Sequence, residues 1–495
     1  MAGGEWEITD LPKLPGLYMN FKAAALASVT TGNRGTVMIP IKAHWGKAPE
    51  DGFIELYRET DILNEFGELE DSNGSTFYKT LRMCCLGNPQ KILAYRLMDS
   101  NAAEATITLT NDAETPVNVV TIKAKYKGER GNKFKLTLAP SLTEENVYEM
   151  KLYEDTTLLK TYSFGTWSEL ISTVNATNAY ITAAKATAST DVSGHDFKSI
   201  TSVPLTGGNS GIAGITNASY IKFLNDIETV KFNYLTLDGI TEPAIQTSVA
   251  SWVMNMRRNG KKFMCVMGGT HADDTADDAV DRAVRRSAGF NHEGIINVGV
   301  GVVLDDVTYC SAEVAPFVAG LIAGQKMTES TTYAATSFDD VTRRWRDGRS
   351  SEREIAVTHG VFLFVFDGQI VKVLMGVNSL VTLRQNQNNA FKKIRSIRTM
   401  DAIDSDMQET AEANYIGKIN NTQEGRLALV GACKQYMEVC AQGGIIERGT
   451  YDVILDPTYH GATATIKPEP NQVFLKWHAQ ITDVIEQIFS DFVCE

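Results

Sequence analysis

Between residues 232 and 304 short apolar runs alternate with stretches of helical period, and this rhythm limits the fold more than any other feature of the chain. "FNYLTLDG" (232–239), "KFMCVMGG" (262–269) and "IINVGVGVVL" (295–304) read as buried strands. Between them, "IQTSVASWVMNMRRNG" (245–260) sets Val249, Trp252, Val253 and Met256 on one helical face and stops at Gly260. "DTADDAVDRAVRRSAG" (274–289) predicts one helix, with acids early and arginines late to match its dipole. "EVAPFVAGLIAG" (313–324) predicts a short apolar helix. Strands alternating with helices imply a largely parallel sheet covered on both faces, hence an α/β core.

Upstream, "GTVMIPI" (35–41) and "KILAYRLM" (91–98) read as strands, "LYRETDILNEFGE" (56–68) as a turn-rich or helical connection, and "TFYKTLRMCCLG" (76–87) as a helix. The texture changes near residue 100. From "EATITLT" to about residue 205, Thr, Val and Tyr alternate with polar residues, the pattern of half-buried antiparallel strands. Residues 103–205 are therefore expected to be a β-rich domain inserted into the larger one. "VFLFVFDGQIVKVLMG" (361–376) predicts a hairpin around Asp367-Gly368. A more helical domain follows; in "NNAFKKIRSIRTMDAIDSDM" (388–407) Phe391, Ile394, Ile397 and Ile403 are expected inward, with Lys392, Lys393, Arg395 and Arg398 outward.

Both ends carry apolar residues without a partner nearby. "ITDLPKLPGLYMNF" (8–21) holds Ile8, Leu11, Leu14, Leu17 and Tyr18, yet Pro12, Pro15 and Gly16 forbid a continuous helix. In "VFLKWHAQI" (473–481), Val473, Leu475 and Trp477 alternate with Phe474, Lys476 and His478. "IEQIFSDFVCE" (485–495) is ambiguous: Ile485, Ile488 and Phe489 fit a helix, while Ile485, Phe489 and Val493 suit one face of a strand.

At 495 residues the chain exceeds a single core of about 250–300 residues, so several domains are expected. A net charge of −13 argues against broad nucleic-acid or anionic-membrane binding. Seven scattered cysteines without CxxC spacing fit reduced thiols. No apolar run reaches the roughly 18–20 residues of a membrane helix, and no signal-peptide pattern opens the chain. A soluble chain made in a cytosol is the expectation.

No catalytic constellation stands out. "TGGNSGIAG" (206–214) lacks the lysine of a phosphate loop and fits a turn at a domain boundary. The nucleophile elbow is missing, so a serine hydrolase finds little support. His271 with Asp273, Asp274, Asp277 and Asp278 could bind a divalent metal, but such clusters more often cap a helix start. Cys84-Cys85 fits small core residues better than a redox pair.

Several stretches resemble tail sheath proteins of contractile phage tails and tail-like bacteriocins, of the type found in Gram-positive bacteria. They are "LPGLYMNF" followed by "RGTVMIPIKAHWG", "AKYKGERGN" (124–132), "LTGGNSG" (205–211), "KIRSIRTMDAID" (393–404) and "NYIGKINNTQEGR" (414–426). Asn209-Ser210 departs from the Thr-Asp more common in that family, and residues 140 to 200 match least. The resemblance implies an α/β domain of subtilisin-like topology without proteolysis, an inserted β-rich domain, an α+β C-terminal domain and extended arms. The expected boundaries are 1–22 for the N-terminal arm, 23–102 and 206–376 for the core, 103–205 for the insertion, 377–472 for the C-terminal domain and 473–495 for the C-terminal arm.

It also implies a structural subunit without cofactor or metal, stacked as six-membered rings around an inner tube. The whole would contract to drive that tube through a cell envelope. Its partners would be copies of itself, the tube protein, and baseplate and tail terminator proteins, with no nucleic acid and no membrane insertion. The chain would be made in a host cytoplasm and end in a virion tail or tail-like particle. Arms that add strands to neighbouring copies would use Ile8, Leu11, Leu14, Leu17, Tyr18, Val473, Leu475, Trp477, Ile488, Phe489 and Phe492, with 485–494 read as a strand. Lys392, Lys393, Arg395 and Arg398 would face the tube. The alternatives are a hydrolase of subtilisin-like fold and a non-contractile shell or capsid protein.

Overall fold

The computed structural model describes residues 34–177, 179–187, 194, 196–462 and 464–492, with the backbone of Ala2–Gly4 and Gly16–Tyr18. The chain forms two compact units, Asn33–Asp401 with Asp483–Glu495, and Met1–Gly32 with Ala402–Thr482.

The first unit is built on a seven-stranded sheet. Its strands are β1 (Thr36–Ile41), β2 (Ile54–Leu56), β3 (Lys91–Arg96), β4 (Tyr234–Thr236), β5 (Met264–Gly268), β6 (Ile295–Val298) and β7 (Val361–Phe362). They lie in the order β7-β6-β5-β4-β1-β3-β2, parallel throughout except for β2 against β3. The central strands are buried along their length, as an internal parallel sheet requires. Successive side chains serve opposite faces: Val37, Ile39, Val266 and Ile296 pack against helices Phe77–Leu86 and Ser311–Gly324, while Met38, Leu235 and Cys265 meet Pro243–Arg258. The expected α/β core is present.

Two expected elements are interrupted. The helix expected over 274–289 is two, His271–Thr275 and Ala279–Phe290. Thr270 closes a capping box on the first, so the acids belong to a helix start. The strand expected over 295–304 breaks at residues 299–301, where Val302–Leu304 departs to pair antiparallel with Val307–Tyr309 and Asp340–Val341. The hairpin at 361–376 is narrower than expected: Val361–Phe362 stays in the large sheet, and Phe364–Phe366 pairs with Val371–Val373 around Asp367.

The insertion forms two sheets of its own. One has four strands, ordered Thr157–Phe164, Tyr148–Glu154, Phe134–Pro140 and Ile200–Pro204. The other has three, ordered Ile181–Lys185, Asn118–Ala124 and Thr106–Thr110. Phe134, Leu136, Met150, Leu152, Ile122 and Trp167 of helix Trp167–Thr177 form its core. The two ends of the insertion lie side by side, since Ala103 bridges Asn209 and Thr106 bridges Thr206.

"AKYKGERGN" and "GGNSG" build that junction. A Cβ on Gly128 would sit 1.9 Å from the His44 carbonyl oxygen, so only glycine fits there. Buried Arg96 donates through Nη1 to the carbonyls of Gly46 (2.9 Å) and Lys127 (2.6 Å). Arg130 forks onto Glu154 (2.7 and 3.0 Å) and donates to the Phe66 carbonyl (3.0 Å). Its guanidinium also lies over Trp45, 5.2 Å from the ring centre.

In the second unit, helix Gln423–Gln442 and the later part of Ile394–Asn414 pack with an antiparallel ribbon, Asp452–Leu455 against Leu475–His478. This corrects the expectation that 473–481 belongs to an arm. Leu475 and Trp477 join the cluster of Tyr436, Met437 and Val453, and Val473 is half-buried. The alternation does mark a strand, but its partner strand is in the same chain. At the other end, the backbone of Gly16–Tyr18 pairs parallel with Ala2–Gly4, so Leu17 and Tyr18 stand in a strand. Ile8, Leu11 and Leu14 lie outside the described residues.

Candidate assembly surfaces

The residues considered for chemistry are structural. Asp273 pairs with Arg282 (3.0 Å), as does Asp278 (2.7 Å). Asp274 is buried and accepts from the backbone N–H and hydroxyl of Ser311 (2.6 and 2.7 Å), which fixes the start of the apolar helix; burial raises its carboxyl to about 7. Among the described residues no three His, Cys, Asp or Glu side chains are placed to hold a metal ion. Burial pushes the Cys84 thiol far above its usual range and Cys85 to about 12, so neither is a ready thiolate.

Ser210 and His44 do meet. His44 Nε2 donates to the Ser72 carbonyl (2.9 Å), which leaves Nδ1 to accept from the Ser210 hydroxyl (2.8 Å). Ser210 Oγ also accepts from the Glu129 N–H (3.0 Å), and both side chains are buried. The pair is a pin in the junction of insertion and core.

The expected basic face is not a face. Arg395 and Arg398 are buried. Arg398 donates to the carbonyls of Gln325 (2.7 Å), Lys326 (3.4 Å) and Glu329 (3.5 Å), so it caps the C-terminal end of Ser311–Gly324. Lys393 bonds to Asp483 and, at 2.7 Å, to Glu486, and Arg395 lies 3.9 Å from Asp483. Lys392 is half-buried at the end of the short turn Asn389–Lys392. Ile394 and Ile397 are buried as expected.

Lys393 therefore holds the root of the C-terminal segment. Glu486 is held a second time by the Thr332 hydroxyl (2.7 Å). Beyond this clamp residues 483–492 form neither helix nor strand within the chain, which differs from the strand expected over 485–494; residues 493–494 lie outside the described residues. Ile485 and Ile488 are 84% exposed, Phe489 89% and Phe492 91%. Uncovering such side chains costs about 1.5–3 kcal/mol each relative to burial. The two-stranded ribbon of the other unit likewise ends in outer edges, and a ribbon of that size is marginal alone.

The motif "NYIGKINNTQEGR" shapes the head of helix Gln423–Gln442. Thr422 caps it by accepting from the Gly425 N–H (3.1 Å). A Cβ on Gly425 would lie 2.2 Å from the Asn420 carbonyl oxygen. Asn421 Nδ2 donates to the carbonyls of Pro470 (2.8 Å) and Gln472 (3.0 Å), tying the turn to the strand that follows. Arg426 Nη1 returns to the Asn421 carbonyl (3.2 Å) and Oδ1 (2.9 Å), while its Nε is buried without a hydrogen-bond partner. These residues frame a cleft of about 330 Å³ whose apolar wall includes Ile416, Ile419, Leu429 and Val473. The motif is visible in the sequence, but the cleft it builds is not.

Comparison with known proteins places these surfaces in context. Residues 99–210 match the phage tail sheath protein beta-sandwich domain, 213–379 the phage tail sheath protein central domain, and 386–494 the phage tail sheath C-terminal domain. The phage-like element PBSX protein XkdK of Bacillus subtilis is 26% identical over 436 residues, 83% of each chain. The sheath tail protein of Listeria innocua superposes with a TM-score of 0.66 at 25% identity, over 92% of this chain and 98% of that one. The anti-feeding prophage helical sheath in its contracted state shares the fold, with a TM-score of 0.55 at 12% identity over 98% and 99% of the two chains. Three sheath domains in order, covering the insertion, the core and the helical C-terminal part, make this chain a member of the phage tail sheath protein family.

Proposed function

We propose that the chain is the structural subunit of a contractile tail sheath, polymerising as six-membered rings stacked helically around a tube of separate subunits. The observation that carries this reading is the C-terminal segment. It is clamped at Asp483 and Glu486, and then presents Ile485, Ile488, Phe489 and Phe492 to solvent. A second copy is the surface that covers them, by strand addition in which backbone hydrogen bonds supply affinity and alternate side chains supply register. The N-terminal arm, with Ile8, Leu11, Leu14, Leu17 and Tyr18, is given the same role. Rings that stack need heterologous contacts above and below each subunit.

On this reading the partners beyond the chain itself are a tube protein, baseplate and terminator proteins, and contraction moves the tube through an envelope. The product works in a tail or tail-like particle after synthesis in a host cytoplasm. No catalytic step is assigned. The subtilisin-like topology is supported by the strand order: numbered along the chain, the sheet runs 2-3-1-4-5-6-7 from one edge to the other. We place the insertion on the outer surface, because it buries a core of its own.

A chain ending at Thr482 tests the reading. Thr482 itself is held by the Gly444 and Ile445 carbonyls (2.6 and 2.9 Å), so the cut keeps that unit closed, and in the other it removes only the contacts of Asp483 and Glu486 with Lys393, Arg395 and Thr332. Circular dichroism is expected to be unchanged while hollow cylinders vanish from negative-stain images. Cylinders at the full-length chain's concentration would overturn it.

A further inference from the structure

We propose that the cleft at the head of helix Gln423–Gln442 receives the C-terminal segment of a second copy. Phe489 fills its apolar part, and the Asp491 carboxylate binds Arg426. The inference rests on the reading of that segment as an intersubunit arm, and it adds the docking site. Arg426 is half satisfied: Nη1 is engaged by Asn421, and Nε is buried without a partner. A buried Nε–H without an acceptor is an unmet donor, and a carboxylate on the Nε edge of the guanidinium meets it with two parallel bonds. The first turn of the helix adds its positive end.

The occupant follows from charge and spacing. Residues 483–492 contain Asp483, Glu486 and Asp491 and no cation. Lys393 already holds the first two, which leaves Asp491. In an extended chain Phe489 and Asp491 point to the same side, about 6.6–7 Å apart. The cleft offers Ile416, Ile419 and Leu429 to the ring and Arg426 to the acid. Val473 lines it too, just before Leu475–His478. A segment running antiparallel along the outer edge of that strand, with 485–488 beside 475–478, delivers 489–491 to the cleft.

The test is charge exchange in the full-length chain, read as the concentration at which cylinders form. Asp491→Arg lies on an exposed segment and cannot unfold the subunit. It is expected to raise that concentration at least tenfold, as is Arg426→Glu, and the double exchange is expected to restore it to within threefold. A photo-crosslinking residue at position 489 is expected to mark 411–429 or 471–473 of another copy. Crosslinks elsewhere, or Asp491→Arg assembling like the unaltered chain, overturn the docking site. If those results come with assembly still lost on ending the chain at Thr482, only the cleft is wrong. If the shortened chain also assembles, the arm reading itself fails.

Discussion

The insertion and the C-terminal stretch of the chain from 402 onward use similar residues to opposite ends. In the insertion seven strands close two sheets over each other, and Phe134, Leu136, Leu138 and Met150 reach zero exposure. In the C-terminal unit two strands form a ribbon, with Leu475 and Trp477 only half covered. The segment after it leaves four large apolar side chains almost bare. The first region has consumed its own hydrophobic surface. The second has kept surface and strand edges for someone else, and on the proposed reading that difference separates a passenger from a joint.

The contrast can be broken most sharply at Phe489 and Phe492. Replacing both with serine is expected to shift the thermal midpoint hardly at all, since exposed substitutions stay within about ±0.5 kcal/mol. Cylinder formation is expected to fall by two orders of magnitude or more, read by sedimentation and electron microscopy. A stability loss with intact assembly would reverse the roles of the two regions. Phe134→Ala is the converse experiment. It removes a fully buried ring and is expected to cost about 3–5 kcal/mol, seen by calorimetry as early melting of the insertion, while cylinders still form. Cylinders should also survive replacement of 104–205 by a short Gly/Ser bridge, because Ala103 and Asn209 are already neighbours.

A smaller effect separates structure from surface at Arg398. Arg398→Met is expected to cost about 1–3 kcal/mol, since three carbonyls at a helix end lose a buried donor. Unchanged stability with weakened tube binding would restore Arg398 to a surface role. The smallest predicted effect is acid sensitivity at His292. Burial holds this imidazole below its usual range, and its Nδ1 accepts from the Gly294 N–H (3.0 Å), which a protonated ring cannot do. The unfolded chain therefore binds the proton first, so stability is full above about pH 6.5 and falls as the pH drops below it. His292→Gln is expected to flatten that limb in melting curves taken between pH 5 and 8.

Much of the core was legible because its signals are local. Val249, Val253 and Met256 face inward as their spacing says, and β1, β3, β5 and β6 stand where apolar runs occur. What failed depends on distant chain. Periodicity over 274–289 does not reveal that Ala276 leaves the helix, extended, at its first cap. Alternation in 473–481 identifies a strand but not the owner of its partner. Arg395 and Arg398 look like a solvated face on a helical wheel, yet carbonyls some 70 residues earlier in the chain claim Arg398. For the candidate site, the motif around Arg426 was visible in the sequence, but the buried, unpartnered Nε was not. An unfilled hydrogen bond has no signature in residue order.

The paired bridges at the neck of the insertion have a mechanical consequence. Ala103 bridges Asn209 and Thr106 bridges Thr206, so the two chain crossings are fastened to each other at the threshold. Tension travelling along the polypeptide from the early strands to the later ones is handed across that fastening. It does not pass through the sandwich beyond. A part that carries no load answers to few constraints other than its own packing, so its loops can lengthen, shorten or change charge without weakening the machine. Residues 140–200, which hold the strands Tyr148–Glu154 and Thr157–Phe164 and the helix Trp167–Thr177, lie in that unloaded territory.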